Sequence, residues 1–243
     1  MKRLTILAGL LILPLSVALA GAPAPKKEGI EAKGYVWNAQ EGEKIEALKL
    51  KGNAKNGEEA YEVCGACHLP SGAGRPDGTF PQLAGQHASV LIKQIADIRG
   101  GLRDNPTMYP FAVSLTDPQE LADVSAYIQT LCIPQEHGKG SNDAALIAQG
   151  RELYKKECET CHQPNGQGDA QKFYPVLAGQ HYKYLLRQVT DIRDGKRRNA
   201  NPDMVKVVKK YTDRELDAVA GYMASLSMPG QMCKAGASTK KKS

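Results

Sequence analysis

The pentapeptide Cys64-Gly-Ala-Cys67-His68 recurs as Cys158-Glu-Thr-Cys161-His162, 94 residues further on. Two thiols two residues apart, with an imidazole directly after the second, form the attachment site of a c-type haem. Each thiol adds to one vinyl group of the porphyrin. The two intervening residues let the backbone span both vinyl positions, and the following His is held over the iron. A redox dithiol or half of a zinc site needs Cys-x-x-Cys but no adjacent His in both copies. The motif therefore predicts two covalently bound c-type haems, with Cys64, Cys67, Cys158 and Cys161 as thioether residues and His68 and His162 as iron ligands. With only 6% aromatic residues, halves of this size bury a meagre core by themselves, and a porphyrin supplies the missing apolar surface.

The two halves match well beyond the cysteines. Pro81-Gln-Leu-Ala-Gly-Gln-His87 recurs as Pro175-Val-Leu-Ala-Gly-Gln-His181, and Gln94-Ile-Ala-Asp-Ile-Arg99 as Gln188-Val-Thr-Asp-Ile-Arg193. Asn105-Pro106-Thr-Met108 answers Asn201-Pro202-Asp-Met204, with the offset grown to 96. Thr116-Asp117 and Thr212-Asp213 each supply short polar side chains able to start a last helix. Apolar residues recur at helical spacing after each His87/His181 position, and no alternating strand pattern is present. The expected fold is all-α: two tandem domains at 51–134 and 146–230 joined by a polar linker at 135–145, with an amino-terminal extension at 21–50 and a lysine-rich tail at 231–243. The extension holds the only Trp, Trp37, and has no counterpart in the second half.

Lys2 and Arg3 precede an apolar run from Leu4 to Val17, and Ala18-Leu19-Ala20 supplies small residues for cleavage. That is the layout of a secretory signal peptide over 1–20, and the run is short for a membrane span of about 20 residues. A soluble, exported protein of the periplasm is expected. The formal charge of +6 includes two charges on Lys2 and Arg3 and four on Lys234, Lys240, Lys241 and Lys242, which leaves the body neutral. No nucleic-acid-binding surface follows from that. Cys132 and Cys233 are left over and are not repeat equivalents, since Ser227 replaces Cys132 in the second half. In an oxidising compartment an intramolecular bond between them is expected. An intermolecular bridge or two free thiols are the alternatives.

The sixth iron ligand follows by elimination. Met108 is the only Met of residues 51–134, and Met204 is its repeat counterpart among the methionines of the second half. His87 and His181 are the rival pair and would give bis-histidine haems. The methionines are preferred because each of these histidines opens a helix, where an imidazole serves as a solvated or capping side chain.

With CGACH and CETCH, the paired PxLAGQ segments and the Met-bearing loops ahead of the last helices, the sequence resembles the cytochrome c4 family over about residues 51–230. That family consists of dihaem proteins built from two class I cytochrome c domains. The resemblance implies that the Pro81 and Pro175 carbonyls accept a hydrogen bond from the proximal His rings, and that Gly57, Tyr61 and Tyr127, like Gly150, Tyr154 and Tyr222, sit where first and last helices cross. Arg99 and Arg193 are expected as solvated helix-end residues, with contact to haem propionates as the alternative. The implied function is electron transfer between redox protein partners, from a quinol-oxidising complex or periplasmic dehydrogenase to a membrane oxidase or a reductase, with peripheral contact to membrane complexes. A cytochrome subunit of a periplasmic dehydrogenase is the alternative, and a dihaem peroxidase a weaker one. Residues 51–134 carry six Lys/Arg against nine Asp/Glu, and 146–230 carry fourteen against ten. Opposed fields of this kind steer docking, which points to different partners for the two halves and an acidic surface, tested at Arg197 and Arg198, for the second; the alternative is that halves of opposite sign simply attract each other.

Overall fold

The computed structural model describes residues 23–233. The expected signal peptide and the tail from Lys234 onward lie outside the described residues. The extension ends in α1 (Gly42–Lys49). The first domain follows with α2 (Ala54–Ala60), α3 (Glu62–His68), α4 (Ala88–Arg99), α5 (Tyr109–Ser114) and α6 (Pro118–Thr130). The second repeats the order with α7 (Ala144–Glu157), α8 (Glu159–His162), α9 (Tyr182–Arg193), α10 (Pro202–Val208) and α11 (Asp213–Met223). The start of α7 at Ala144 falls inside the expected linker, because Asp143 caps it: the Asp143 carboxylate accepts from the amides of Ala145 at 2.9 Å and Leu146 at 3.3 Å.

The last helices begin as the Thr-Asp pairs suggest, but on different members of the pair. Asp117 caps α6, with Pro118 at its first position. Thr212 caps α11 in a reciprocal box with Glu215, a device that satisfies two orphan amides. In each domain the first and last helices cross at a glycine. A Cβ on Gly57 would stand 1.9 Å from Asp123 O, and one on Gly150 2.0 Å from Ala218 O. Beside each crossing a tyrosine pair packs, Tyr61 with Tyr127 at 5.4 Å and Tyr154 with Tyr222 at 5.3 Å between ring centroids. Leu121, Val124, Ile128 and Leu131 complete the first core, while Leu216, Val219, Ala220 and Met223 complete the second.

The helical class holds, with one addition that no sequence periodicity announces. Ile133–Pro134 (β1) pairs in parallel with Met232–Cys233 (β2), and Cys132 is disulfide-bonded to Cys233 with a Cα–Cα distance of 5.8 Å. Strands of two residues are too short to show alternation. The pairing places the fully buried Ile133 between the two Leu-Ala-Gly turns. Gly85 (φ +70°) and Gly179 (φ +75°) take the left-handed conformation that favours glycine, and a Cβ on either would strike Ile133, at 2.7 and 2.2 Å respectively.

The domains are joined by bonds that repeat across a pseudo-two-fold relation. His87 Nε2 bonds Gln167 O at 2.8 Å, and its counterpart His181 Nε2 bonds Ala73 O at 2.8 Å. Gln167 and Ala73 are themselves repeat equivalents, 94 residues apart. This corrects the expectation of solvated or capping imidazoles. Neither histidine makes a side-chain cap bond, and His181 is 1% exposed. Each ring instead ties its helix start to the loop after the other domain's Cys-x-x-Cys-His.

Candidate haem-binding sites

In both domains the cysteines lie at the end of the first helical segment. Cys64 and Cys67 stand on α3, while Cys158 ends α7 and Cys161 stands on the single turn of α8. The helix stops directly after the His in each copy, at Leu69 (φ +65°) and Gln163 (φ +66°). A non-glycine residue in this region costs on the order of 1–3 kcal/mol and persists only where its surroundings impose it. The imposing contact is the same twice: Tyr61 Oη donates to Leu69 O at 2.9 Å and Tyr154 Oη to Gln163 O at 2.7 Å. The tyrosines of the helix crossing thus also fix the turn that aims each His.

His68 is 4% and His162 9% exposed. His68 Nδ1 lies 2.9 Å from Pro81 O and His162 Nδ1 3.4 Å from Pro175 O. A carbonyl only accepts, so Nδ1 carries the proton and Nε2 keeps its lone pair for a metal. Burial lowers the pKa of both rings, that of His162 to about 4, with the proline carbonyls opposing the shift. Neutral imidazole is the ligating form. Burial also pushes the Cys64 thiol up to about 11 and that of Cys158 to about 12. A redox dithiol needs the opposite shift.

A cavity of the second domain runs between these groups and α10. Cys158, Cys161, His162 and Pro175 line one part of it, and Met204 and Val207 another. Two thiols, an imidazole and a thioether lining one cavity together with the apolar side chains of Leu177, Leu185, Val189 and Val207 fit a porphyrin. Met204 sits within α10 rather than in a loop, and Met108 is the half-buried N-cap residue of α5. An Asn holds each start: Asn201 Oδ1 accepts from Asp203 N at 2.8 Å and Asn105 Oδ1 from Met108 N at 3.1 Å.

Arg99 and Arg193 are engaged by neighbouring carboxylates and carbonyls rather than free in solvent, and Arg193 does not line the second cavity. Arg99 bonds Glu43 and the Leu115 carbonyl, and Arg193 bonds Asp194, Asp213 and the Tyr211 carbonyl. Arg197 and Arg198 do not form a basic docking face. Arg197 bonds Gln188, Gln94 and Asn199, while Arg198 pairs with Asp104 at 2.8 Å across the domain boundary. Charge count shows the sign of a domain, but not which side chains its own neighbour has already engaged.

Two features of the sites escaped the sequence reading. Gln86 and Gln180, repeated in each LAGQ segment, bond across the boundary to the residues that follow Pro175 and Pro81. Trp37 of the extension lines the second cavity. The repetition of the glutamines was visible, and the lone Trp was visible, but their targets lie about 90 and 135 residues away in the chain, and long-range contacts of this kind leave no local pattern.

The family model "Cytochrome c" matches twice, at residues 54–132 and 147–227. Cytochrome c4 of Pseudomonas aeruginosa is 36% identical over 185 residues, covering 72% of this chain and 89% of that one. A Stutzerimonas stutzeri protein named as a thiosulfate dehydrogenase electron acceptor is 33% identical, covering 74% of this chain and 90% of that one. The crystal structure of reduced recombinant cytochrome c4 from Pseudomonas stutzeri superimposes with a TM-score of 0.63 at 33% identity, covering 72% of this chain and 100% of that one. Two helical domains, each with a Cys-x-x-Cys-His turn, two matches to the cytochrome c model and relatives spanning nearly their whole length agree: the chain belongs to the cytochrome c4 family, electron-transfer proteins with two covalently bound c-type haems.

Proposed function

We propose that the chain is a periplasmic electron carrier whose two irons are each closed by one His and one Met: His68 with Met108, and His162 with Met204. The observation that carries this reading is Met204 lining the same cavity as His162, Cys158 and Cys161. The haems supply one-electron exchange, and His/Met ligation raises the reduction potential. With both axial positions taken by protein, the site has no place for substrate. The chain's own residues hold the geometry. Each His keeps its proton at Nδ1 on a proline carbonyl, each tyrosine fixes the turn behind it, and the paired glutamines and histidines hold the two pockets at one spacing.

The proposed domains are 51–134 and 146–230, the helix of the second reaching back to Ala144. Donor and acceptor belong to this proposal: a quinol-oxidising complex or periplasmic dehydrogenase on one side, a terminal oxidase or reductase on the other. The signal-peptide pattern of residues 1–20 supports export. A second reading, the electron-accepting subunit of a thiosulfate-oxidising dehydrogenase, is favoured by the Stutzerimonas stutzeri relative named for that role. Stopped-flow reduction of the oxidised holoprotein separates the two. Rapid reduction by a thiosulfate dehydrogenase with thiosulfate, and none by a quinol-oxidising complex, selects the second reading. The reverse selects the first, and reduction by neither defeats both.

A further inference from the structure

The extension ahead of the first domain is anchored on both domains. On the first, α1 packs against α4 and α6. There Lys44 Nζ lies 2.5 Å from Asp97 Oδ1, Glu43 Oε1 lies 2.6 Å from Arg99 Nη1, and Lys27 N donates to Gly101 O at 3.0 Å. On the second, Ile30 N donates to Arg198 O at 3.3 Å and the Ile30 side chain packs on the core. Gly29 approaches so closely that a Cβ would stand 2.2 Å from Arg198 O.

Downstream of Ile30, before the chain returns to the first domain in α1, it delivers Trp37. The indole stacks on Tyr174, with 6.4 Å between centroids and planes 14° apart, and meets Phe173 edge-on at 6.3 Å. Lys93 of the first domain places its ammonium 5.0 Å from the indole centroid. Phe173 and Tyr174 directly precede Pro175, and all three line the second cavity together with Trp37. The family match begins at residue 54, after this segment. The stretch ahead of the second domain, 135–143, contains no aromatic residue.

We propose that residues 23–50 form an intramolecular strap that completes the pocket of the second haem, with Trp37 as a wall residue supplied from outside the second domain. The proposal rests on the haem attachment at Cys158 and Cys161 given above. An indole is the largest apolar surface one residue can add. Excluding water from a haem disfavours the oxidised, more highly charged state and so raises its potential. The two haems, held by homologous repeats, are thereby set further apart by a residue that belongs to neither repeat.

Because Trp37 is the only Trp, its indole resonances report on it alone. In proton NMR of the reduced holoprotein, indole protons are expected to show cross-relaxation to the haem bonded at Cys158 and Cys161 and to no other. In spectroelectrochemistry, Trp37→Ala is expected to move one of the two couples to lower potential and leave the other in place, with Trp37→Phe restoring most of the shift. An indole with contacts to neither haem, or to the haem at Cys64 and Cys67, overturns the proposal. So does a Trp37→Ala protein in which both couples move alike or neither moves. The NMR measurement uses the unaltered protein, so it stands even if a variant fails to fold. Two Met-ligated haems by visible spectroscopy without an indole contact would sink the strap alone; absent Met ligation would sink the ligand assignment alone.

Discussion

Gln180 and Gln82 exchange two hydrogen bonds across the domain boundary: Gln82 N donates to Gln180 Oε1 at 3.0 Å, and Gln180 Nε2 donates to Gln82 O at 2.9 Å. Gln86 and Val176 do the same, at 2.9 and 3.0 Å. The N–H of Gln82 belongs to the peptide unit whose carbonyl, Pro81 O, bonds His68. The N–H of Val176 shares a peptide unit with Pro175 O, the partner of His162. His68 and His162, the proposed proximal ligands, therefore each lean on a peptide that the other domain's glutamine holds, and hydrogen bonds in series polarise one another.

Gln180→Leu leaves the buried amide and carbonyl of Gln82 without partners, at about 1–3 kcal/mol for each unsatisfied group. Denaturant unfolding of the holoprotein should show this loss. The potential of the haem at Cys64 and Cys67 should rise, because a less polarised Pro81 carbonyl draws the His68 proton less and leaves the imidazole a weaker donor. The other haem should move less. A larger shift at the haem of the second domain would refute the cross-boundary assignment.

Met108→Ala and Met204→Ala should each halve the weak far-red sulfur-to-iron band of the ferric protein. His87→Ala should leave that band whole, since His87 Nε2 is occupied by Gln167 O. Loss of the band in the His87 variant would restore the bis-histidine alternative.

The attachment turns, the repeat and the helix starts were legible because each rests on local chemistry. Thioether spacing and an Asp or Thr at an N-cap are written within a few residues of where they act, whereas the crossings at Gly57 and Gly150 join distant residues and were expected only from the family resemblance. What joins the halves was not legible. His87, His181, Gln86 and Gln180 reach partners 80 to 108 residues away, and Arg197 and Arg198 read as free charge although they are bonded across the boundary. The extension had no repeat to be compared with, so Trp37 acquired a role only when the fold set it beside Tyr174.

Asp97 joins three parts of the molecule. It is 1% exposed and bonds Lys93 on its own helix, Lys44 of the extension and Asn199 of the second domain, at 2.5, 2.5 and 2.8 Å. Asp97→Asn would leave two buried ammonium groups without their counter-charge, a loss of about 3–5 kcal/mol. Burial alone would raise the Asp97 pKa, but Lys93 and Lys44 outweigh it and hold the carboxyl below its ordinary 3.8. A depressed carboxyl pKa stabilises the fold above the ordinary value, and that stabilisation is lost as pH falls through the folded-state value. The gap in unfolding free energy between the native protein and Asp97→Asn should accordingly be widest above pH 4 and narrow in more acid solution. A gap independent of pH across that range would show that Asp97 acts through packing alone.

The disulfide from Cys132 to Cys233 closes a loop over a sequence separation of 101 residues that contains the whole second domain. On a chain-entropy account a loop of this length stabilises by about 4–5 kcal/mol. The bond also holds β2 against β1, and with it Ile133 in its seat between Gly85 and Gly179. Cys233→Ser should therefore lower the denaturation midpoint and loosen the domain boundary, while the absorption spectrum of the haem at Cys158 and Cys161 stays unchanged, because none of these residues lines its cavity. Hydrogen exchange at the Gln82 and Val176 amides reads the boundary directly, and both should exchange faster in the variant. Non-reducing peptide mapping of monomeric protein should return a Cys132–Cys233 crosslinked peptide. Free thiols at both positions in freshly isolated material, or exchange at Gln82 and Val176 that ignores the substitution, would remove the disulfide from the forces that set the haem–haem geometry.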